Sequence, residues 1–101
     1  MTNEPKTGAD LIQAIWDEFG YACWEVEPSD RWLMIGIISL QRHSGAPFSE
    51  VLELVDPNCN LPFDLSQAIE SLDGLSIKQS YEMMRTIVAG LLAQEAVQAA
   101  A

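Results

Sequence analysis

The chain has 101 residues, and five Lys or Arg stand against fifteen Asp or Glu, which gives a formal net charge of -10. Such an acidic chain would repel a phosphate backbone, so direct binding to nucleic acid is not expected. The longest apolar run, residues 32–40, is far shorter than the roughly 20 residues of a membrane span. Apolar residues make up 49% of the chain, and this length and composition are typical of one globular domain.

The first residues lack both the basic start and the apolar middle of a signal peptide, so the sequence predicts a cytoplasmic protein. In that compartment Cys23 and Cys59 should be reduced thiols, and we expect both to be buried. We expect one helical domain over residues 1–101, with flexible ends at 1–6 and 95–101. The predicted fold class is all-α, a single-domain bundle of about five helices.

The first predicted helix begins at Thr7, which with Asp10 fits a capping box, and ends at Gly20. Its apolar residues share one helical face. They are Leu11, Ile12, Ile15, Trp16 and Phe19.

Residues 21–28 are too few to distinguish strand, helix and loop, and we interpret them as an ordered connector. Ser29 or Asp30 can cap a second helix that ends at Gly45, and Gly36 could permit close contact with a neighbouring helix. This second helix should be central, because its apolar residues point in all directions around the axis. They are Trp32, Leu33, Met34, Ile35, Ile37, Ile38 and Leu40.

Two short helices are predicted next. Pro47 opens one, and Asp64 with Gln67 fits a capping box at the start of the other. Their expected core residues are Phe48, Val51, Leu52 and Val55 in the third helix, and Leu65, Ala68, Ile69 and Leu72 in the fourth.

A capping box of Ser76 and Gln79 starts the fifth helix. Apolar residues then recur at alternating spacings of four and three, which indicates a buried face. They are Ile77, Tyr81, Met84, Val88 and Leu91. The second and fifth helices should therefore form the centre of the bundle.

The loop after the third helix begins like a calcium-binding loop, with Asp56, Asn58 and Asn60 at its ligand positions. Leu61 stands where such loops need glycine, and Gln67 replaces the bidentate glutamate, so we expect a turn and no metal. The chain has one histidine, His43, at the predicted end of the second helix, and no recognisable catalytic motif. Neither enzymatic activity nor a cofactor is expected.

Acidic and aromatic residues are concentrated between positions 17 and 30. In one interpretation Trp24 and Trp32 anchor this segment to the core while the acids are merely hydrated. In the other, the segment binds a partner, because aromatic anchors with charged surroundings recur at interfaces. The candidate partner-binding residues are Asp17, Glu18, Tyr21, Trp24, Glu25, Glu27 and Asp30.

The segment "LIQAIWDEFGYACWEVEPSDRW", with its mixture of acids and aromatics, resembles phage-encoded anti-CRISPR proteins directed at type I surveillance complexes. The resemblance lies in general character, so no functional positions are carried over. It implies a stoichiometric inhibitor, made in the cytoplasm of a bacterial host, that occupies basic nucleic-acid-binding surfaces of a protein or ribonucleoprotein complex. The alternative is a non-enzymatic phage assembly factor or helical adaptor that binds through an apolar helix face.

Overall fold

The computed structural model describes the backbone of residues 7–100 and the side chains of residues 7–97. It contains five α-helices: α1, Gly8–Phe19; α2, Pro28–Ser44; α3, Phe48–Val55; α4, Phe63–Glu70; and α5, Ile77–Ala100. A short 3-10 turn, Tyr21–Cys23, lies between α1 and α2, and the described residues contain no strand. The predicted all-α fold is confirmed. Residues 1–6 and 101 lie outside the described range, and flexibility at 95–101 stays a prediction.

Local capping signals place several helix ends where the sequence predicts them. The Thr7 side chain accepts a hydrogen bond from the Asp10 backbone N–H at 3.2 Å, and the Asp10 carboxylate accepts one from Thr7 in return. Ser76 and Gln79 form the same reciprocal pair at the start of α5. Gly45 ends α2 in the left-handed conformation that glycine adopts most readily.

Two predicted helix starts are wrong. Helix α2 begins at Pro28 rather than after Ser29 or Asp30, because proline has a helical φ and its missing N–H is not needed in the first turn. Helix α4 likewise begins directly after Pro62, and neither start has a side-chain cap. At α2 the fixed φ of Pro28, rather than a polar cap, favours this start, whereas Pro62 is the extended residue immediately before α4.

The core is formed mainly by α2 and α5, with α3 packed against α2 and α4 packed against α3. From α2 come Met34, Ile37 and Ile38, all fully buried, and from α5 come Met83 and Ile87. The short helices add Phe48, Val51, Leu65 and Ile69. The central position predicted for the second and fifth helices agrees with this distribution.

The predicted inner face of α5 is confirmed at Leu91, which is buried, and wrong at the start of the helix. Ile77 is 73% exposed and Tyr81 is 57% exposed, whereas Ser80 and Met83 are buried. The exposed pair and the buried pair both have helical spacing, because apolar residues of α5 lie along two neighbouring lines on its surface. Spacing alone does not say which of these two lines faces the core.

Trp32 and Gly36 also differ from expectation. Trp32 is 54% exposed although we predicted it in the core, and a Cβ atom added at Gly36 would meet nothing within 4 Å. Helix α2 is therefore not buried all round, and Gly36 makes no close helix contact.

In the linker after α3, Cys59 is exposed, which corrects the expectation that both cysteines are buried.

Asp56 organises the linker between α3 and α4. Its buried carboxylate accepts hydrogen bonds from the backbone N–H groups of Asn60 at 2.8 Å and Leu61 at 3.0 Å. The oxygens that a calcium loop would direct at the metal are thus used to hold the turn. Within the described part of the chain, no group of three or more His, Cys, Asp or Glu side chains is arranged to hold a metal ion.

We predict that Ile37→Ala lowers the free energy of unfolding by about 2 to 5 kcal/mol, because it leaves a cavity at a fully buried site. Leu54→Ala is the matched control, since Leu54 is 74% exposed on α3 and its truncation should cost less than about 0.5 kcal/mol. Urea unfolding followed by circular dichroism measures both. Equal losses in the two variants would contradict the placement of α2 at the centre.

Candidate functional site

Pro28 belongs to α2, so the connector is residues 20–27 rather than the predicted 21–28, and it is a tight turn rather than a strand. The Cys23 and Val26 N–H groups donate to the carbonyls of Gly20 and Cys23, each at 2.9 Å, and the Glu25 N–H donates to Phe19 at 3.0 Å. Ala22 and Cys23 both have positive φ, at 61° and 56°. Such a conformation costs a non-glycine residue roughly 1 to 2 kcal/mol, so tertiary contacts must hold the turn in place.

Small apolar side chains supply those contacts. Ala22, Cys23 and Val26 are buried, and Ala22 lies against Gly90 of α5. A Cβ atom at Gly90 would stand 3.2 Å from the Ala22 Cβ, closer than ordinary contact. The missing side chain of Gly90 therefore allows the connector to approach α5 closely.

Arg31 of α2 lies beneath this contact and is fully buried. Its Nη2 donates a hydrogen bond to Gln94 Oε1 of α5, and its guanidinium carbon lies over the Trp24 ring, 5.8 Å from the centroid. Among the described residues, neither Nε nor Nη1 of Arg31 has a hydrogen-bond acceptor, and no carboxylate forms an ion pair with it. One buried cation thus joins α2, the connector and α5, although no sequence motif marks Arg31.

The Cys23 thiol does not supply the missing counter-charge. Burial raises the pKa of this thiol from 9.0 to about 11, and the nearby Arg31 charge lowers it only in part. At neutral pH Cys23 is therefore a neutral, buried thiol that packs in the core.

A groove of about 850 Å³ opens between the connector and α5. Its aromatic wall consists of Tyr21 and Trp24, which are 72% and 52% exposed. Ala22, Ala89 and Gly90 contribute small residues to the lining, and charged residues stand on both sides. These are Glu25 on the connector and Glu82 and Arg85 on α5.

The structure brings together only part of the predicted partner-binding set. Tyr21, Trp24 and Glu25 line the groove. Glu27 is exposed immediately before α2, and Asp30 lies half-buried in its first turn.

Asp17 and Glu18 are exposed near the end of α1 and do not line the groove. Asp17 instead accepts a hydrogen bond from the Gln13 side chain at 2.9 Å. Neither Trp24 nor Trp32 is a buried anchor, because both are more than half exposed. The predicted anchoring of the segment by Trp24 and Trp32 is therefore wrong, and the buried side chains of the segment are those of Ala22, Cys23 and Val26.

The α5 wall of the groove was not predicted as part of the site. Glu82 and Arg85 lie 3.8 Å apart as an exposed ion pair, one turn apart on the helix. In the sequence, Glu82 and Arg85 have the spacing of an ion pair on the solvated face of a helix. Only the fold places them opposite residues 21–25. Gly90 was equally unremarkable in sequence, yet its small size decides how close the connector comes.

We predict that part of the stability of the protein is lost between about pH 9 and pH 11 because of Cys23. The folded-state pKa of this thiol, about 11, exceeds its ordinary value of 9.0, so the folded state binds its proton more tightly. The resulting contribution is complete below pH 9 and disappears as the pH rises through 11. Urea unfolding at pH 8 and at pH 10.5 measures the loss.

Cys23→Ala should show a smaller loss between those two pH values than the wild type. Cys59→Ser, which changes the exposed thiol, is the matched control and should behave like the wild type. If Cys23→Ala and the wild type lose the same free energy, the thiol is not buried as described.

Within the described residues, no helix is both long and apolar enough to cross a membrane. No family model, curated protein or solved structure matches this chain.

Proposed function

We propose that this chain is a non-enzymatic protein that binds a basic surface of a protein or ribonucleoprotein complex through the groove between the connector and α5. The observation that carries the proposal is the pairing of two exposed aromatic rings, Tyr21 and Trp24, with the carboxylates of Glu25 and Glu82 around one concave surface. Exposed aromatics of this kind are typical interface anchors.

Charge favours a basic partner. The chain carries a net charge of -10, and one of its five basic residues, Arg31, is buried. Among the described residues that line the groove, the one cation is Arg85, and it pairs with Glu82. A positively charged surface would therefore be drawn towards this side of the molecule, which raises the rate of association.

The aromatic wall suits the same partner. A lysine or arginine side chain can lie against the face of a tryptophan or tyrosine while its charge meets a nearby carboxylate. Trp24 already contacts the Arg31 guanidinium from the protein side and remains 52% exposed. Its accessible part borders the groove, where a partner cation would also be close to Glu25.

In its narrower form, the proposal is that the chain inhibits a type I CRISPR surveillance complex by covering a basic nucleic-acid-binding surface. The support is the general resemblance to anti-CRISPR proteins together with the acidic, aromatic groove. The proposed inhibitor acts stoichiometrically, in the cytoplasm of a bacterial host, by occupying a site that target DNA or a nuclease would otherwise use.

A second candidate function is a phage assembly factor or helical adaptor. The exposed apolar residues of α5, including Ile77, Tyr81 and Leu92, favour it because an adaptor would bind through an apolar helix face. Salt separates the two candidates. Binding through the acidic groove should slow as salt rises, whereas binding through apolar side chains should respond little.

The test is reversal of the connector charges with Glu25→Lys and Glu27→Lys together. Both side chains are exposed, so the fold should persist. Association with purified type I surveillance complexes, measured by surface plasmon resonance at low salt, should slow at least about ten-fold because like charges then meet. Because the variant would then cover the basic surface of the complex less often, the complex should bind more DNA in its presence than in the presence of the wild type.

The matched control reverses Glu53 and Glu70, which are also exposed but line a different groove between α3 and α4. This control changes the net charge by the same amount as the connector variant. If it slows association less, the position of the charges matters and not only their number. Equal slowing in both variants, or a larger effect in the control, would contradict the proposed site. Failure of the wild type to bind any such complex would contradict the narrower, CRISPR-directed form.

A further inference from the structure

The groove between α3 and α4, which we call the α3–α4 groove, is a second concave surface of about 610 Å³. Among the described residues, it shares no lining residue with the groove between the connector and α5. Leu52 of α3 and Leu61 of the linker line it and are buried, so its floor is apolar. Phe63, the first residue of α4, lines it too and is 72% exposed. An apolar side chain of a partner would therefore lie between an aliphatic floor and an aromatic ring.

The two helices that form the walls run in roughly opposite directions. At one end, Asp56 directly after α3 accepts a hydrogen bond from Leu61, two residues before α4, at 3.0 Å. At the other end, the Phe48 N–H at the start of α3 donates to Asp73, shortly after α4, at 2.8 Å. Each helix has eight residues and is therefore about 12 Å long. A groove of that length fits an extended segment of about four residues.

Both walls of the α3–α4 groove carry an exposed acid, Glu53 on α3 and Glu70 on α4. Within residues 7–97, neither carboxylate forms an ion pair or accepts a hydrogen bond. Asp56 also lines the groove, but it is buried and already holds the linker. Residues 44–77 contain six Asp or Glu and no Lys, Arg or His, so this part of the chain supplies no cation to the two wall acids.

Charge decides between the possible occupants of the α3–α4 groove. Nucleic acid and anionic lipid surfaces are negatively charged and would be repelled, and a second copy carries the same net charge of -10. A protein segment with Lys or Arg on each side of a large apolar side chain matches the floor, the Phe63 ring and both wall acids. We propose that the α3–α4 groove binds such a basic and apolar segment of a partner protein. This binding is independent of the proposed function, because it uses no residue of the groove between the connector and α5.

Heteronuclear NMR of the full chain, labelled with nitrogen-15, tests the proposal. The probe is a capped peptide of lysine, leucine, leucine and lysine. The backbone N–H signals of Leu52, Glu53, Ser66 and Glu70 should shift, with a dissociation constant of about 1 mM or below, the range of weak interfaces. Peptides with glutamate in place of both lysines, or serine in place of both leucines, should bind at least about ten-fold more weakly.

Removal of the wall charges tests their part in binding. Glu53→Gln together with Glu70→Gln should weaken binding of the lysine peptide about five-fold or more, because both counter-charges are lost. Glu50→Gln together with Asp64→Asn is the matched control, since these acids are exposed on the same helices but do not line the groove. The control changes the net charge equally and should weaken binding less than about two-fold.

Phe63→Ala tests the aromatic wall and should also weaken binding about five-fold or more, because the peptide then buries less apolar surface. Leu54→Ala is its control, since Leu54 is equally exposed on α3 but does not line the groove. The substituted side chains are all exposed, so circular dichroism should show an intact fold in every variant.

Four results would overturn the proposal. The first is the absence of shifts in α3 and α4 at about 1 mM peptide. The second is a set of shifts confined to residues 20–25 and 82–90, which would place the peptide in the other groove and leave the proposed function standing. The third is equal weakening in a groove variant and its control. The fourth is a shift of the α3 and α4 signals as the protein alone is concentrated, which would assign the groove to a second copy.

Discussion

The burial of the Arg31 guanidinium is the constraint on which the arrangement of α2, the connector and α5 depends. Removing a permanent charge from water costs several kcal/mol, and no carboxylate among the described residues compensates it. The observed compensation is a hydrogen bond to Gln94 and contact with the Trp24 ring. Both partners are in place only when the connector lies on α5, so burial of Arg31 and closure of the connector require each other.

That coupling explains how a short, strained segment can hold the residues of the proposed binding surface in place. Ala22 and Cys23 hold positive φ values that an isolated peptide would avoid, and their burial against α5 offsets the strain. With the turn held by its small residues, Tyr21 and Trp24 need not be buried and remain exposed beside Glu25. If the proposed partner binds there, a connector already held in place would reduce the entropy lost on binding.

The fold could largely be predicted from the sequence because its signals are local. Thr7 with Asp10, Ser76 with Gln79, and Gly45 each act within one or two turns of their own helix. The orientation of the helices could not be predicted in the same way. Helix α5 has two apolar stripes, and the choice between Met83 and Tyr81 as the buried side chain depends on packing against α2 and the connector, which spacing does not encode.

One wall of the candidate site could likewise be predicted from the sequence, and the other could not. Tyr21, Trp24 and Glu25 could be predicted from their unusual composition, since exposed aromatics among acids are uncommon. The opposite wall could not, because Glu82 and Arg85 lie about sixty residues later and have the ordinary pattern of a solvated helix face. Arg31 was missed for a different reason: a charged residue beside tryptophans is normally expected at the surface.

The central claim is that Arg31 is buried against Trp24 and Gln94 and so fixes the connector to α5. Nitrogen-edited NMR of the arginine Nε–H groups tests it most directly, since the other arginines, Arg42 and Arg85, are exposed. One Nε–H signal should exchange slowly with water, move on Trp24→Ala because the ring current is lost, and disappear in Arg31→Lys. Three signals that all exchange rapidly at their ordinary chemical shifts would contradict the account.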